Sequence, residues 1–175
     1  MTASADNTPT VCLRAMEPED LDMLYRIEND RALWNVGVTN VPYSRYTLHN
    51  YIASSSGDIY KDGQVRLMVE NGEKAVVGIV DIVNFSPIHR RAEVGIVIAD
   101  SFRGRGYACG ALERVAEYSL RVLHLHQLYA VIDAGNAASV ALFTKMGYKT
   151  ASRLADWLYD GHDYHDAVVM QRCLY

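Results

Sequence analysis

"IVIADSFRGRGYACGAL", residues 96–112, runs from an apolar stretch through a glycine-rich turn into a segment with helical periodicity. A strand that enters a helix through such a turn gathers several backbone N–H groups around one point, and the helix N-terminus adds partial positive charge there. Gly104 and Gly106 let the main chain approach a ligand closely, and Arg103 and Arg105 add two full charges. The stretch therefore predicts an anion site suited to a pyrophosphate. The alternative is a surface turn with solvated arginines.

Two common nucleotide-binding sites do not fit this context. A P-loop ends in Gly-Lys-Ser/Thr, whereas this turn ends in Gly106-Tyr107-Ala108. A dinucleotide-binding fold places its glycine loop in the first βαβ unit and an acidic residue about twenty positions later. Here the turn lies past mid-chain, and residues 122–128 contain no carboxylate. The pyrophosphate is therefore expected to belong to another class of ligand.

Strand-like stretches precede the turn. Residues 64–70, 75–85 and 92–100 are rich in Val and Ile and are joined by short connections, the first of them at Asn71-Gly72. Short connections favour antiparallel neighbours over βαβ units. These stretches therefore predict an antiparallel meander.

Helices are expected on either side of this meander. Pro18 among carboxylates predicts a helix start, and Ser44 is suited to cap a second helix. A longer helix is predicted over residues 108–123, and a short one is expected to begin at the cap Asn136 and end at Gly147.

The order of elements is predicted to be β-α-α-β-β-β-α-β-α-β-β, with a terminal hairpin turning at Asp160-Gly161 and a loop at residues 54–63. This order predicts an α+β fold: a mixed, mostly antiparallel twisted sheet of about seven strands with helices on both faces. Residues 1–10 are expected to form a flexible N-terminus, and residues 11–175 a single domain.

Composition narrows the classes of function. The net charge is −4 over 175 residues, so no overall basic field favours nucleic acid. The chain has no apolar run of membrane-spanning length. Its three cysteines form no CxxC pair, and its six histidines lack zinc-site spacing. We expect a cytoplasmic protein with no metal, membrane or nucleic-acid partner.

Two stretches together resemble the GNAT superfamily of N-acetyltransferases. The glycine turn is similar to its acetyl-CoA motif, Arg/Gln-x-x-Gly-x-Gly/Ala, through Arg103, Gly106 and Ala108. "NAASVALFTKMGY", residues 136–148, is similar to its second motif, Asn-x-x-Ala/Ser-x-x-Leu-Tyr-x-Lys-x-Gly-Phe. Residues 76–98, with "IHRRAE", further resemble the spermidine N-acetyltransferase branch. Similarity to the ribosomal-protein N-terminal acetyltransferases is weaker.

The resemblance implies the acyl-CoA N-acyltransferase fold, acetyl-CoA as co-substrate and a set of cofactor-binding residues. In that superfamily the strand before the loop parts from its neighbour and pairs with pantetheine, while the loop binds the pyrophosphate. The implied residues are Ile96, Val97, Ile98, Arg103, Gly104, Arg105, Gly106, Tyr107, Ala108, Cys109, Asn136, Ala138, Phe143 and Lys145. Asn136 as only a helix cap, Lys145 as a solvated lysine and the strand residues as ordinary core are the alternatives.

The implied reaction is direct attack of an amine on the thioester. An alkyl amine is mostly protonated at pH 7, and freeing its lone pair costs about 4–5 kcal/mol. Glu93 matches an acceptor-side glutamate of the spermidine branch and is the candidate base. The alternative is an exposed carboxylate paired with Arg90 or Arg91. Phe143 stands where the family usually has a tyrosine that protonates the leaving thiolate, and phenylalanine has no proton to give.

The acceptor is expected to be a primary amine of a small molecule, with a polyamine as the first candidate. Candidate acceptor-binding residues are Glu28, Trp34, Tyr43 and Glu93, and Asn84 stands where that branch has a glutamate. A protein N-terminus is the alternative acceptor. A catalytically impaired sensor of acetyl-CoA or polyamine is the alternative function, because of Phe143. The resemblance also implies a homo-oligomer.

Overall fold

A computed structural model of the protein describes residues 8–30 and 41–175. The strands are β1 (Val11–Arg14), β2 (Val65–Asn71), β3 (Val76–Ser86), β4 (Arg91–Ile98), β5 (Gln127–Asp133), β6 (Lys149–Tyr159) and β7 (Tyr164–Cys173). The helices are α1 (Leu21–Glu28), α2 (Arg45–Ser54), α3 (Ile59–Asp62), α4 (Tyr107–Arg121) and α5 (Ala137–Lys145), with 3₁₀ turns at Pro18–Asp20 and Asp100–Phe102.

The sheet confirms the predicted fold class. Its strand order is β1-β2-β3-β4-β5-β7-β6, and every neighbouring pair is antiparallel except β4 and β5. The single parallel contact arises because α4 carries the chain across between β4 and β5. The order of the main elements is also as predicted.

Strands β4 and β5 pair over only three positions. The register is Arg91 with Gln127, Ala92 with Leu128 and Glu93 with Tyr129. Beyond that last pair β4 continues along β3, whereas β5 continues along β7. We call the space between residues 94–98 and residues 130–133 the β4–β5 gap; the Glu93–Tyr129 pair lies at its closed end.

The core lies on both faces of the sheet. Helices α4 and α5 cover one face, where Leu112 and Phe143 join the main buried cluster together with sheet residues such as Leu128. Helix α1 covers the other face, where Ile27 packs with Met68, Ile79 and Val97. This arrangement agrees with the prediction of helices on both faces.

Two turns differ in detail from the sequence prediction. The 54–63 segment, predicted as a loop, contains α3, a single turn whose start Asp58 caps by accepting from Tyr60 N. The first hairpin turns at Asn71 as predicted, but the left-handed residue is Lys74 rather than Gly72. The Asn71 side chain accepts from two N–H groups of this turn, which allows a longer loop than Asn-Gly alone predicts.

The start of α4 packs against the chain just before β1. A Cβ at Gly110 would lie 2.8 Å from the Pro9 carbonyl oxygen, and one at Gly106 would lie 2.9 Å from Pro9 Cδ. Gly106 also has φ +85°. These two glycines are therefore required by helix packing and backbone conformation, whereas a Cβ at Gly104 meets no atom within 4 Å. The sequence argument assigned Gly106 to ligand approach; the structure adds a packing role against Pro9, and the ligand role stays a prediction.

We predict that Gly110→Ala lowers the free energy of unfolding by about 1 kcal/mol. Alanine favours a helix by about 1 kcal/mol, but forcing a methyl group against backbone costs about 1–3 kcal/mol. Gly72→Ala is the matched control, because a Cβ there meets nothing within 4 Å. Urea denaturation measures both variants; a more stable Gly110→Ala protein would contradict this packing.

Candidate functional site

The β4 edge of the β4–β5 gap presents unpaired backbone groups. Ala99 N donates to Val77 O at 2.9 Å, so the backbone groups of Ala99 point toward β3. Because backbone groups of alternate residues point to opposite neighbours, those of Ile96 and Ile98 face the gap and those of Val97 face β3. Of the three strand residues predicted to bind the cofactor, Ile96 therefore offers both backbone groups to an added chain, and Ile98 offers its N–H, because its carbonyl oxygen already accepts from Arg103 Nε.

The glycine loop concentrates backbone donors at the start of α4. Among the described residues, none accepts from the N–H groups of residues 104–109, whereas the Arg103 N–H already donates to Asp100 O. Gly106 precedes α4 in a left-handed conformation with no side-chain cap. Six successive donors at a helix N-terminus form a site for an anion.

The two loop arginines have different surroundings. Arg103 pairs with Asp100 at 2.7 Å and donates through Nε to Ile98 O at 2.9 Å, so it ties the loop to the end of β4. The Arg105 guanidinium lies over the Phe102 ring, 5.8 Å from its centroid. Arg105 forms no carboxylate pair within the described part of the chain, and its charge remains available to an anion.

The residues of helix α5 and its cap that were predicted to bind the cofactor differ in exposure and in contacts. The Asn136 Oδ1 accepts from Ser139 N at 3.0 Å, so Asn136 is a helix cap, while no described residue accepts from its Nδ2. The cap and a ligand contact are therefore compatible in one side chain. Ala138 and Lys145 are exposed, but Phe143 is buried and packs edge-on against Tyr148, with ring centroids 4.9 Å apart.

A polar cluster closes the end of the β4–β5 gap. Glu93 and Tyr129 are directly paired across the strands, and Asn84 Nδ2 donates to Glu93 Oε2 at 2.8 Å. In the described residues Glu93 forms no ion pair with Arg90 or Arg91, which was the structural alternative for this carboxylate. We call Asn84, Glu93 and Tyr129 the vertex cluster.

A bulge in β3 places Asn84 in the vertex cluster. The β3–β4 register shifts between Val83 and Ser86, and Asn84 has φ +50°. Asparagine tolerates this left-handed conformation better than most residues, and bulges redirect side chains next to functional sites. The shift lets a β3 side chain reach across to Glu93.

Gly95 leaves space beside the vertex cluster on the α1 face of β4. It lies two residues after Glu93 and two before Val97, which packs under α1. A Cβ built on Gly95 meets no atom within 4 Å. Glycine weakens a strand interior and often marks a close approach by a ligand. The combination leaves open space beside Glu93 on the α1 face, which we call the Gly95 crevice.

A compact ionic cluster borders this crevice. Asp81 is the cross-strand partner of Gly95 and binds Arg66 through both carboxylate oxygens, at 2.6 and 2.8 Å. Arg66 also pairs with Glu28 of α1. Burial disfavours the charged guanidinium, but the hydrogen bonds and charge of Asp81, with the charge of Glu28, outweigh it and raise the pKa of Arg66. Glu28, predicted to bind the acceptor, is therefore engaged with Arg66.

Two other residues were predicted to bind the acceptor. Trp34 lies outside the described residues. The Tyr43 backbone is held by the Asn29 side chain, which accepts from its N–H at 2.8 Å and donates to its carbonyl oxygen at 3.1 Å. Tyr43 is thus fixed near the end of α1.

Sequence analysis missed Tyr129 and Gly95. Both lie in stretches that were interpreted only as buried strands, and their importance depends on cross-strand register. The one available signal was a tyrosine within the apolar strand "HQLYAVID". No sequence pattern aligned it with Glu93.

Metal binding and membrane insertion gain no support from the described residues. They contain no group of three or more His, Cys, Asp or Glu side chains placed to bind a metal ion. None of the helices in residues 8–30 and 41–175 is long and apolar enough to cross a membrane.

Comparison with protein families identifies a match over most of the chain. The model described as "Acetyltransferase (GNAT) domain" matches residues 10–149. The spermidine N(1)-acetyltransferase of Escherichia coli (strain K12) is 28% identical over 162 residues, covering 92% of this chain and 84% of that protein. A putative ribosomal N-acetyltransferase of Bacillus subtilis (strain 168) is 27% identical, covering 90% of this chain and 88% of that protein.

Solved structures are similar over nearly the whole chain. Spermidine N-acetyltransferase from Vibrio cholerae in complex with CoA and spermine superposes with a TM-score of 0.84 at 27% identity, covering 94% of this chain and 96% of that one. A second structure of the Vibrio cholerae enzyme, described as dodecameric, has a TM-score of 0.78 at 26% identity and covers 94% of each chain.

We predict that Arg66→Met lowers the free energy of unfolding by about 3 kcal/mol, because it leaves Asp81 and Glu28 half-buried without their cation. Arg45→Met is the matched control: it removes an exposed pair with Asp22, and no measurable change is expected. Urea denaturation at pH 7 compares the two. Equal effects would show that the Arg66 cluster is solvated like the surface pair.

Proposed function

The chain belongs to the acetyltransferase (GNAT) family, and from this membership we propose that it transfers the acetyl group of acetyl-CoA to a primary amine of a polyamine such as spermidine or spermine. The observation that supports this most directly is the β4–β5 gap, which leads from unpaired backbone groups of β4 to the donors of residues 104–109. An extended carrier with amide groups at one end and a pyrophosphate at the other matches that arrangement.

The residues present fit acetyl-CoA. The backbone groups of Ile96 and the N–H of Ile98 would pair with the amides of pantetheine as an added strand would. The N–H groups of residues 104–109 would bind the pyrophosphate, assisted by Arg105. Asn136 Nδ2 would reach a pantetheine carbonyl, and Lys145 would lie toward the outer phosphates. When bound, the coenzyme supplies the activated acetyl group.

Glu93 is the base in this proposal. The acceptor enters the crevice over Gly95 as an ammonium ion, and the Glu93 carboxylate accepts its proton directly or through water. Asn84 holds one carboxylate oxygen by its 2.8 Å hydrogen bond, which fixes the direction of the other. The deprotonated amine then attacks the thioester carbonyl in a ternary complex, with no covalent enzyme intermediate.

A protein N-terminus is a second candidate acceptor, favoured by the similarity to the Bacillus subtilis protein. A sensor that binds acetyl-CoA without turnover is a third possibility, favoured by Phe143. Release of CoA thiol across spermidine, spermine, putrescine and peptides separates them. Turnover on peptides alone would contradict the polyamine proposal, and coenzyme binding without any turnover would favour the sensor.

We also propose a cytoplasmic location, supported by three free thiols that suit a reducing compartment.

We predict that Glu93→Gln lowers kcat with spermidine about 10²–10⁴-fold at pH 7.5, the usual contribution of a general base. The deficit should shrink toward pH 10, because the free amine then forms in solution. The dissociation constant for CoA, measured by calorimetry, should stay within twofold. Glu113→Gln, on the exposed side of α4, is the matched control. A variant that loses only CoA affinity, with kcat unchanged, would show that Glu93 is not the base.

We further propose that the protein is a homo-oligomer, as the similar Vibrio cholerae enzyme is described to be. Light scattering coupled to gel filtration should give a multiple of the 19.6 kDa chain mass. A monomer at micromolar concentration would contradict this proposal and leave the assignment of the reaction intact.

A further inference from the structure

The proposed reaction leaves one proton transfer without a donor. When the amine displaces CoA, the sulfur departs as a thiolate that must be protonated. The family resemblance assigns this step to a tyrosine at the position of Phe143, and Phe143 has no ionisable hydrogen. The proton for the sulfur therefore comes either from water or from another group in this chain.

Tyr129 occupies the closed end of the β4–β5 gap. It is the last β5 residue paired with β4, directly opposite Glu93. Paired residues of adjacent strands lie about 4.8 Å apart and project from the same face. The phenol and the carboxylate are therefore neighbours on the α1 face, where Gly95 leaves the crevice open.

The chemistry places the sulfur near this phenol. Glu93 serves the amine only if the amine nitrogen lies within one water of its carboxylate. That nitrogen attacks the thioester carbon, and the sulfur is one bond from that carbon. A residue beside Glu93, at the point where the two strands part, is consequently close to the leaving group.

The electrostatic surroundings keep the phenol protonated. Burial raises the pKa of Tyr129, the negative charge of Glu93 raises it further, and a hydrogen bond with Asn84 opposes the rise. Tyr129 therefore has its proton at neutral pH. A thiolate is a weaker base than a phenolate, so the transfer to sulfur is uphill and has to accompany C–S cleavage, with the phenolate reprotonated at once.

We propose that Tyr129 protonates the CoA sulfur in this chain, in place of a tyrosine on α5. The inference rests on the proposed acetyl transfer. The C–N bond forms as the C–S bond breaks, and the Tyr129 O–H proton passes to sulfur to give the free thiol. The phenolate then takes the proton that Glu93 removed from the ammonium ion. The second amine proton leaves to water, so that ammonium and acetyl-CoA yield amide, CoA thiol and one H⁺.

The test compares Tyr129→Phe with the double variant Tyr129→Phe/Phe143→Tyr, which returns a phenol on α5. Thiol release with saturating spermidine gives kcat, and calorimetry gives the dissociation constant for CoA. Tyr118→Phe is the matched control, because Tyr118 is half-buried like Tyr129 but lies on α4, and burial likewise raises the pKa of its phenol.

We expect kcat of Tyr129→Phe to fall about 100-fold, the lower range for a general acid, with CoA affinity and the KM for spermidine within twofold. The double variant should regain at least tenfold, and Tyr118→Phe should match the wild type. Retained kcat in Tyr129→Phe, or a loss without rescue, would overturn the proton-donor role; the latter would assign Tyr129 to holding Glu93. A wild-type protein that binds CoA but acetylates no amine would instead refute the proposed function itself.

Discussion

The parting of β4 and β5 after the Glu93–Tyr129 pair is the constraint on which the site depends. A sheet that stayed paired to its ends would satisfy the backbone groups of Ile96 and Ile98 internally. Here β3 and β7 hold the two strands on their outer sides, so the gap stays open without exposing the core. The sheet therefore has an unpaired strand edge between two of its inner strands. Such an edge can bind an extended chain by backbone pairing rather than through particular side chains.

The glycine loop depends on packing as much as on charge. Its donors converge because Gly106 turns the chain into α4, and α4 is positioned by close contact of Gly106 and Gly110 with Pro9. The chain before β1 therefore helps to set the geometry of a loop almost a hundred residues later. Arg103 adds a second restraint by bonding the carbonyl of Ile98, which couples the loop to the strand edge.

The fold was predictable because local signals agreed with one another. Periodicity, the caps at Ser44 and Asn136 and the hairpin at Asp160 each predicted an element that the structure contains. The loop and Glu93 were identified from motifs, since these residues are contiguous or lie in a similar segment. Tyr129 and Gly95 were not, because their place follows from cross-strand register. Periodicity reports which face a residue occupies, but not its neighbour on the next strand.

Charge on the α1 face bears on the choice of acceptor. A polycation needs anions that are not already neutralised, and carboxylates near the crevice differ in this respect. Glu28 and Asp81 share Arg66, so these three described side chains sum to −1 rather than −2. Glu93 bonds to neutral partners in the vertex cluster and forms no ion pair within the described part of the chain. In the proposed reaction, the first ammonium of an acceptor would therefore be drawn to Glu93. The choice of a polyamine as the proposed acceptor therefore depends on Glu93 more than on the carboxylates that Arg66 already binds.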